Sequence, residues 1–278
     1  MSARTAVSDR IVGPVVVFSL LVVIGIIVVI IVFAGINSGK SDVVPRPPVP
    51  NTLVFDNATP TLPIVWQSVS HVSVDMTSIV QAWSPTQDFT VEWFQYLSTD
   101  TYNPVAFSLG YNDSGYPYTI LGGSWQGPQQ QHQFMYVQTA DLYQAPIFSD
   151  MTIESNWVHV ALVRDSGTMT VYMNGQQKDQ FSLLYDMSTV TGASLTLGNA
   201  PYPYPGLDTL FTGNISNFRI TDGPVYTSSF AVPSVPYPST PYTVSLYLRN
   251  ATSATAFVDS GTYSLPVAQS NVGWQTVS

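Results

Sequence analysis

Between Arg10 and Lys40 the chain carries no charged residue, and from Ile11 to Ile36 it is almost entirely Val, Ile, Leu and Phe. A bilayer core of about 30 Å is spanned by about 20 apolar residues in a helix, which satisfies its backbone polar groups within one segment. Residues 11–36 are therefore expected to form a single transmembrane helix, with 1–10 as a short N-terminal tail. The run exceeds the roughly 7–15 apolar residues of a cleaved secretory signal. Gly13, Pro14 and Gly25 suit it, since such residues are tolerated in lipid. Arg4 and Arg10 before the run nearly balance Lys40 and Arg46 after it, so charge does not set orientation. Long C-terminal domains translocate largely regardless of charge, which favours an outside domain. Four N-glycosylation sequons, at Asn57, Asn112, Asn214 and Asn250, are compatible with that placement.

Residues 37–50 hold Pro-Arg-Pro-Pro-Val-Pro and read as a stiff, extended linker. From 51 to 278 strand signals dominate and helical periodicity is nearly absent. Phe89–Phe94, Gln133–Val137 and Trp157–Val163 alternate and are rich in aromatic and β-branched residues. Thr168–Met173 runs into Asn174-Gly175, a two-residue hairpin turn in which both positions accept positive φ. Ser194–Leu197, Phe218–Ile220, Tyr242–Leu248 and Gly273–Val277 complete the set, while Gly122-Gly123 reads as a turn. Short strands at turn-punctuated intervals predict an all-β sandwich or jelly roll in one domain.

Phe89-Thr-Val-Glu-Trp-Phe94, Asn156-Trp-Val-His-Val-Ala-Leu-Val-Arg164 and Met169-Thr-Val-Tyr-Met-Asn-Gly175 occur in that order. They resemble the motifs of the laminin-G-like, concanavalin A-like jelly-roll family. Leu195-Thr-Leu-Gly198 and Phe211-Thr-Gly-Asn-Ile-Ser-Asn-Phe-Arg-Ile220 resemble its later segments, and Gly213 is placed for a close chain approach. Tyr226-Thr-Ser-Ser-Phe-Ala-Val-Pro233 and the tail to Trp274 resemble phage and large-virus versions. The resemblance covers most of 51–278 and implies a concanavalin A-like jelly-roll sandwich. The family hosts lectins, glycosidases and adhesion modules, so it constrains function less than fold.

Glycosidases act through two carboxylates on a shared face. Here Asp88 and Glu92, and Asp150 and Glu154, stand four apart with no denser acidic run. Asp88 reads as a strand-edge turn residue and Glu92 as a solvated or hydrogen-bonded partner. His71, His132 and His159 are too separated for a zinc site, and the family resemblance implies that His159 is a half-buried structural residue. The absence of cysteine removes thiol chemistry, and a net charge of −9 argues against nucleic acid. The chain reads as a non-enzyme.

Two readings remain. The resemblance to viral versions implies a membrane-anchored structural or surface component, in a virion membrane or capsid, packed against neighbouring structural proteins. The alternative is a carbohydrate-binding adhesion module, with a glycoside hydrolase a more distant third. Aromatic and amide side chains in loops stack on sugars and hydrogen-bond to them. Tyr111, Asn112, Asp113, Tyr116, Tyr118, Trp125, Tyr202 and Tyr204 are the expected ligand contacts. Asp113, Asp208 and Asp259 have the residue type for calcium, but no metal or other cofactor is assigned. The partners expected are the lipid bilayer, through 11–36, and either neighbouring proteins or glycans.

Overall fold

In a computed structural model, two antiparallel sheets enclose one apolar core. The structure describes residues 51–55, 70–98, 104–110, 120–126, 132–139, 147–148, 156–184, 186–190, 192–199, 210–250 and 252–276. The expected tail, transmembrane helix and linker (1–50) lie outside them. Among the described residues, no helix is long and apolar enough to cross a membrane.

The first eight strands are β1 (Asn51–Phe55), β2 (His71–Asp75), β3 (Phe89–Leu97), β4 (Val105–Leu109), β5 (Ile120–Gln126), β6 (His132–Thr139), β7 (Ile147–Phe148) and β8 (Trp157–Asp165). The other seven are β9 (Thr168–Met173), β10 (Gln176–Ser182), β11 (Ser194–Leu197), β12 (Gly213–Thr221), β13 (Val244–Leu248), β14 (Val267–Ser270) and β15 (Val272–Thr276). One sheet runs β10-β9-β8-β3-β12-β1-β15, with β13 also paired to β12; the other runs β14-β2-β11-β4-β5-β6-β7. This is the predicted all-β sandwich. A helix, α1 (Thr77–Ala82), escapes the sequence reading because six residues are too few to show a period. It buries Ile79 and Val80, and Trp83 just beyond it stacks on Phe89 at 5.3 Å.

Alternation sorts the eight-stranded sheet into two faces. Val91 and Trp93 of β3, Val160 and Leu162 of β8, and Val171 of β9 join the inter-sheet core. Phe94, Trp157, Ala161, Val163 and Tyr172 sit in separate clusters on the opposite face. That outer face is not left to water. Residues 222–243, the irregular connection from β12 to β13, form a strap across it and pack Tyr226, Phe230, Val232, Val235 and Tyr237 onto the sheet.

A bulge in β12 lets its two ends obey both faces. Ser216 lies opposite Phe94, but the register then slips and Arg219 lies opposite Glu92. Asn217 takes φ +52° there. Its N–H donates to Asn250 Oδ1 at 3.0 Å, and Asn250 Nδ2 donates to the Ala256 carbonyl at 2.8 Å. Without the extra residue, Phe218 would leave the core and Arg219 would enter it.

The Asn174-Gly175 turn is as expected, with φ of +47° and +76°. A Cβ on Gly213 would lie 2.1 Å from the Tyr96 carbonyl oxygen, which confirms the close approach expected there. Gly122 and Gly123 correct the sequence reading: they lie inside β5, not in a turn. A side chain at Gly122 would meet the Phe107 ring at 2.5 Å, so glycine here makes room for a neighbour.

Candidate functional site

Strand parity places Glu92, His159 and Arg219 on the strap-facing side of the three central strands, β3, β8 and β12. Glu92 is completely buried. Its Oε1 accepts from Arg219 Nε at 2.7 Å and from Arg219 Nη2. Its Oε2 accepts from the Tyr226 hydroxyl at 2.8 Å and lies 3.2 Å from His159 Nε2. An ionised carboxylate only accepts, so Nε2 carries the His159 proton, leaving Nδ1 buried without a partner. Arg219 Nη1 donates to the Pro238 carbonyl at 3.0 Å, and its Cζ sits 4.5 Å from the Tyr237 ring centroid. Thr90 holds the start of the strap, donating to the Gly223 carbonyl at 2.8 Å and accepting from Val225 N–H at 2.9 Å.

Burial pushes the Glu92 carboxyl up. Hydrogen bonding to His159 and the charge of Arg219 outweigh it and hold the group below its ordinary value of 4.5. Burial and the neighbouring Glu92 charge push the Tyr226 hydroxyl far up, so it remains a donor. An acid, an imidazole, a guanidinium and a phenol within hydrogen-bond reach contain the elements of a catalytic site. Here both carboxylate oxygens of Glu92 are taken up by protein groups, and the strap seals the cluster from above. Its role is to fasten strap to sheet. The sequence reading of Glu92 as a hydrogen-bonded partner stands, but it is not solvated; His159 is structural, yet fully rather than half buried.

Because the folded pKa of Glu92 lies below its unfolded value, its contribution to stability is present above about pH 4.5 and lost as pH falls through the folded value. Asp222, raised by burial, has the opposite sign: its contribution is present below its ordinary 3.8 and lost as pH rises through the folded value. Urea midpoints measured from pH 6 to 3 should therefore fall more steeply for the native chain than for Glu92→Gln. Parallel curves would remove Glu92 from the acid transition.

Asp88 is the expected turn residue, accepting from Ser166 N–H at 2.8 Å. Asp150 and Glu154 lie outside the described residues, as do the calcium candidates Asp113 and Asp208. Asp259 does not match its candidacy. Its Oδ1 accepts from Tyr247 N–H (2.8 Å) and Gly261 N–H (2.7 Å), and its Oδ2 from Leu265 N–H (2.8 Å). A carboxylate engaged with three backbone donors pins a turn. Asp259→Ala should lower Tm equally in calcium and in chelator; a loss confined to calcium would restore the metal reading. Among the described residues, no three His, Cys, Asp or Glu side chains are grouped to hold a metal ion.

Two sequons are corrected as well. Asn250 is buried with both amide atoms engaged, and the Asn214 amide nitrogen on β12 is buried. Neither presents a nitrogen for glycosylation in the folded domain. Asn57 and Asn112 lie outside the described residues.

Of the eight expected ligand contacts, Tyr111, Asn112, Asp113, Tyr116, Tyr118, Tyr202 and Tyr204 also lie outside them, and Trp125 is placed on β5. Strand pairing shows where their segments attach. β4 ends and β5 begins at Leu109 and Ile120, which face each other, so the segment bearing Tyr111–Tyr118 leaves from that end. β11 ends at Leu197 opposite Phe107, so the segment bearing Tyr202 and Tyr204 leaves towards the other end of β4. Trp125 lies beyond Gly123, which pairs with Val105 at that second end, about 17 Å along the strand from Ile120.

A family model described as the concanavalin A-like lectin/glucanases superfamily matches residues 69–229. Among solved structures, a Bacteroides ovatus protein provisionally assigned to carbohydrate binding aligns at TM-score 0.56 and 14% identity. The alignment covers 82% of this chain and 60% of that one. The native heptameric SAP-like pentraxin of Limulus polyphemus aligns at TM-score 0.47 and 15% identity, covering 64% of this chain and 78% of that one. Botulinum neurotoxin type C, whose uptake into cells depends on two ganglioside molecules, aligns at 0.42 and 15%, covering 64% and 44%. No curated protein matches the sequence.

Proposed function

Because the chain belongs to the concanavalin A-like lectin/glucanase superfamily, we propose that it is a carbohydrate-binding, lectin-like module without catalytic activity, tethered to a membrane by residues 11–36. The observation that carries the non-catalytic part is the Glu92 cluster: its carboxylate, imidazole and guanidinium fasten the strap and face no open cleft. Binding is left to the segments that leave the sheet ends. Trp125, Tyr202 and Tyr204 are of the residue type that stacks on pyranose rings.

The similarity to a protein provisionally assigned to carbohydrate binding supports this reading. The viral structural reading rests on motif resemblance alone and ranks below it. The test is a glycan array probed with the full chain in detergent, with calcium and with chelator. Saturable binding to a defined sugar is expected. A folded chain that binds none would sink the lectin reading.

A further inference from the structure

We propose that residues 226–241 of the strap form a flap that lifts as one unit about its paired ends, held shut through the carboxylate of Glu92 and released in acid. This flap is independent of the lectin reading. Among the described residues, the inter-sheet core includes none from 222–243. The strap side chains join the two outer clusters instead, with Phe94, Trp157 and Tyr247 and with Ala161, Val163 and Tyr172. The flap can therefore part from the sheet without opening the core between the sheets.

The ends of the strap are fixed to each other. Asp222 N–H donates to the Thr243 carbonyl at 2.8 Å, and Ser245 Oγ donates to Asp222 Oδ1. The Tyr242 ring lies where a Cβ on Gly223 would be. Thr90 ties Gly223 and Val225 to β3. Paired ends give the strap the form of an Ω-loop, so lifting its middle does not pull β12 from β13.

Between these ends one carboxylate holds both limbs. Glu92 Oε2 accepts from the Tyr226 hydroxyl at 2.8 Å on the first limb. Its Oε1 orients Arg219, whose Nη1 donates to the Pro238 carbonyl at 3.0 Å on the second. Further bonds run from Phe230 N–H to the Gly175 carbonyl at 2.8 Å, and from Tyr237 N–H to the Tyr247 hydroxyl at 2.9 Å.

Acid acts on this latch. Facing Glu92 are His159 on β8, Arg219 on β12, and Tyr226 and Tyr237 on the strap, with Tyr172 on β9 and Tyr247 on β13 beyond them. A protonated Glu92 no longer balances the buried Arg219 charge. His159 gives no relief, since an imidazolium donates from both nitrogens and its Nδ1 is buried without a partner. The folded value of Glu92 lies below its ordinary 4.5, so the latch is intact above about pH 4.5 and fails as pH falls through that folded value. Asp222 has the opposite sign, so acid leaves the paired ends bonded while it frees the flap.

Hydrogen exchange of the full chain in detergent, resolved to single amides and corrected for intrinsic rates, tests this at about pH 6 and about pH 3. Phe230 and Tyr237 N–H should share one protection factor, below that of the β3, β8 and β12 amides, and the gap should widen in acid. Asp222 N–H should keep the protection of the sheet. Tyr226→Phe removes one latch bond and should speed exchange of both flap amides by about tenfold, leaving β3 and β8 unchanged. Flap and sheet amides that exchange together would overturn the proposal. So would a gap that acid leaves unchanged, or unequal protection of the two flap amides.

Discussion

Replacing Glu92 with Gln should cost about 3–5 kcal/mol of folding stability, the range for breaking a buried ion pair by removing one partner. For a domain of this size that is a fall in Tm of roughly 10 °C or more. The loss comes from the partners left behind. Arg219 would remain buried with its charge uncompensated. Tyr226 and His159 would share a neutral amide in place of an acceptor that takes all three. The pair itself need not stabilise the fold over a well-packed apolar replacement. Removing both charges in Glu92→Gln/Arg219→Met should therefore cost less than the sum of the single changes. Additive costs in that double-mutant cycle would show that the two residues act independently, contrary to their contact.

The second large effect concerns Gly175. Its positive φ alone would cost an alanine about 1–2 kcal/mol. A Cβ there would also lie 1.9 Å from the Phe230 carbonyl oxygen, a backbone atom that cannot swing aside. Phe230 N–H donates to the Gly175 carbonyl at 2.8 Å, so the hairpin tip and the strap are docked backbone to backbone. Phe230 in turn stacks on Tyr226 at 3.6 Å, which carries the disturbance to Glu92. Gly192 provides the control: its φ is +72°, but nothing lies within 4 Å of its added Cβ. Gly192→Ala should show the conformational cost alone, and Gly175→Ala should exceed it by about 1–3 kcal/mol, as overpacking does. Equal effects on the denaturant midpoint would mean that the strap is not docked on the turn.

These two residues also show what the sequence could reveal. The Asn174-Gly175 turn and the strands around it were legible because hairpin chemistry and alternation are local. The docking of Phe230 was not, since it joins residues 55 positions apart. The motif residues themselves were visible. Glu92, His159 and Arg219 stand in three separate strand motifs, and Tyr226 opens the segment that follows. That the other three converge on the Glu92 carboxylate depends on the slip at Asn217, which moves Arg219 to the face of Glu92. Nothing in the alternation of β12 announces an extra residue. β1, β2, β4, β7 and β14 are short and escaped notice, as did β10, whose Gln-Gln-Lys-Asp-Gln run carries little strand signal, and Gly122 was misread because a glycine that accommodates a neighbouring ring looks in sequence like one that turns the chain.

For the candidate site the balance differs. Residue type alone suggested aromatic loop contacts, and strand pairing adds only which strand ends their segments leave from. Asp259 and Asn250 show the limit of such reasoning: a carboxylate or a sequon asparagine is as useful for pinning backbone as for holding calcium or accepting a glycan. Only the backbone partners of each one separate the two.

The central claim, that the domain retains a glycan without cleaving it, is tested most directly by one measurement. The full chain in detergent is incubated with the sugar that it captures, and both the bound fraction and the length of the recovered glycan are determined. Saturable retention with the glycan recovered intact is the predicted result. A shortened glycan, or a folded chain that retains none, would contradict the account.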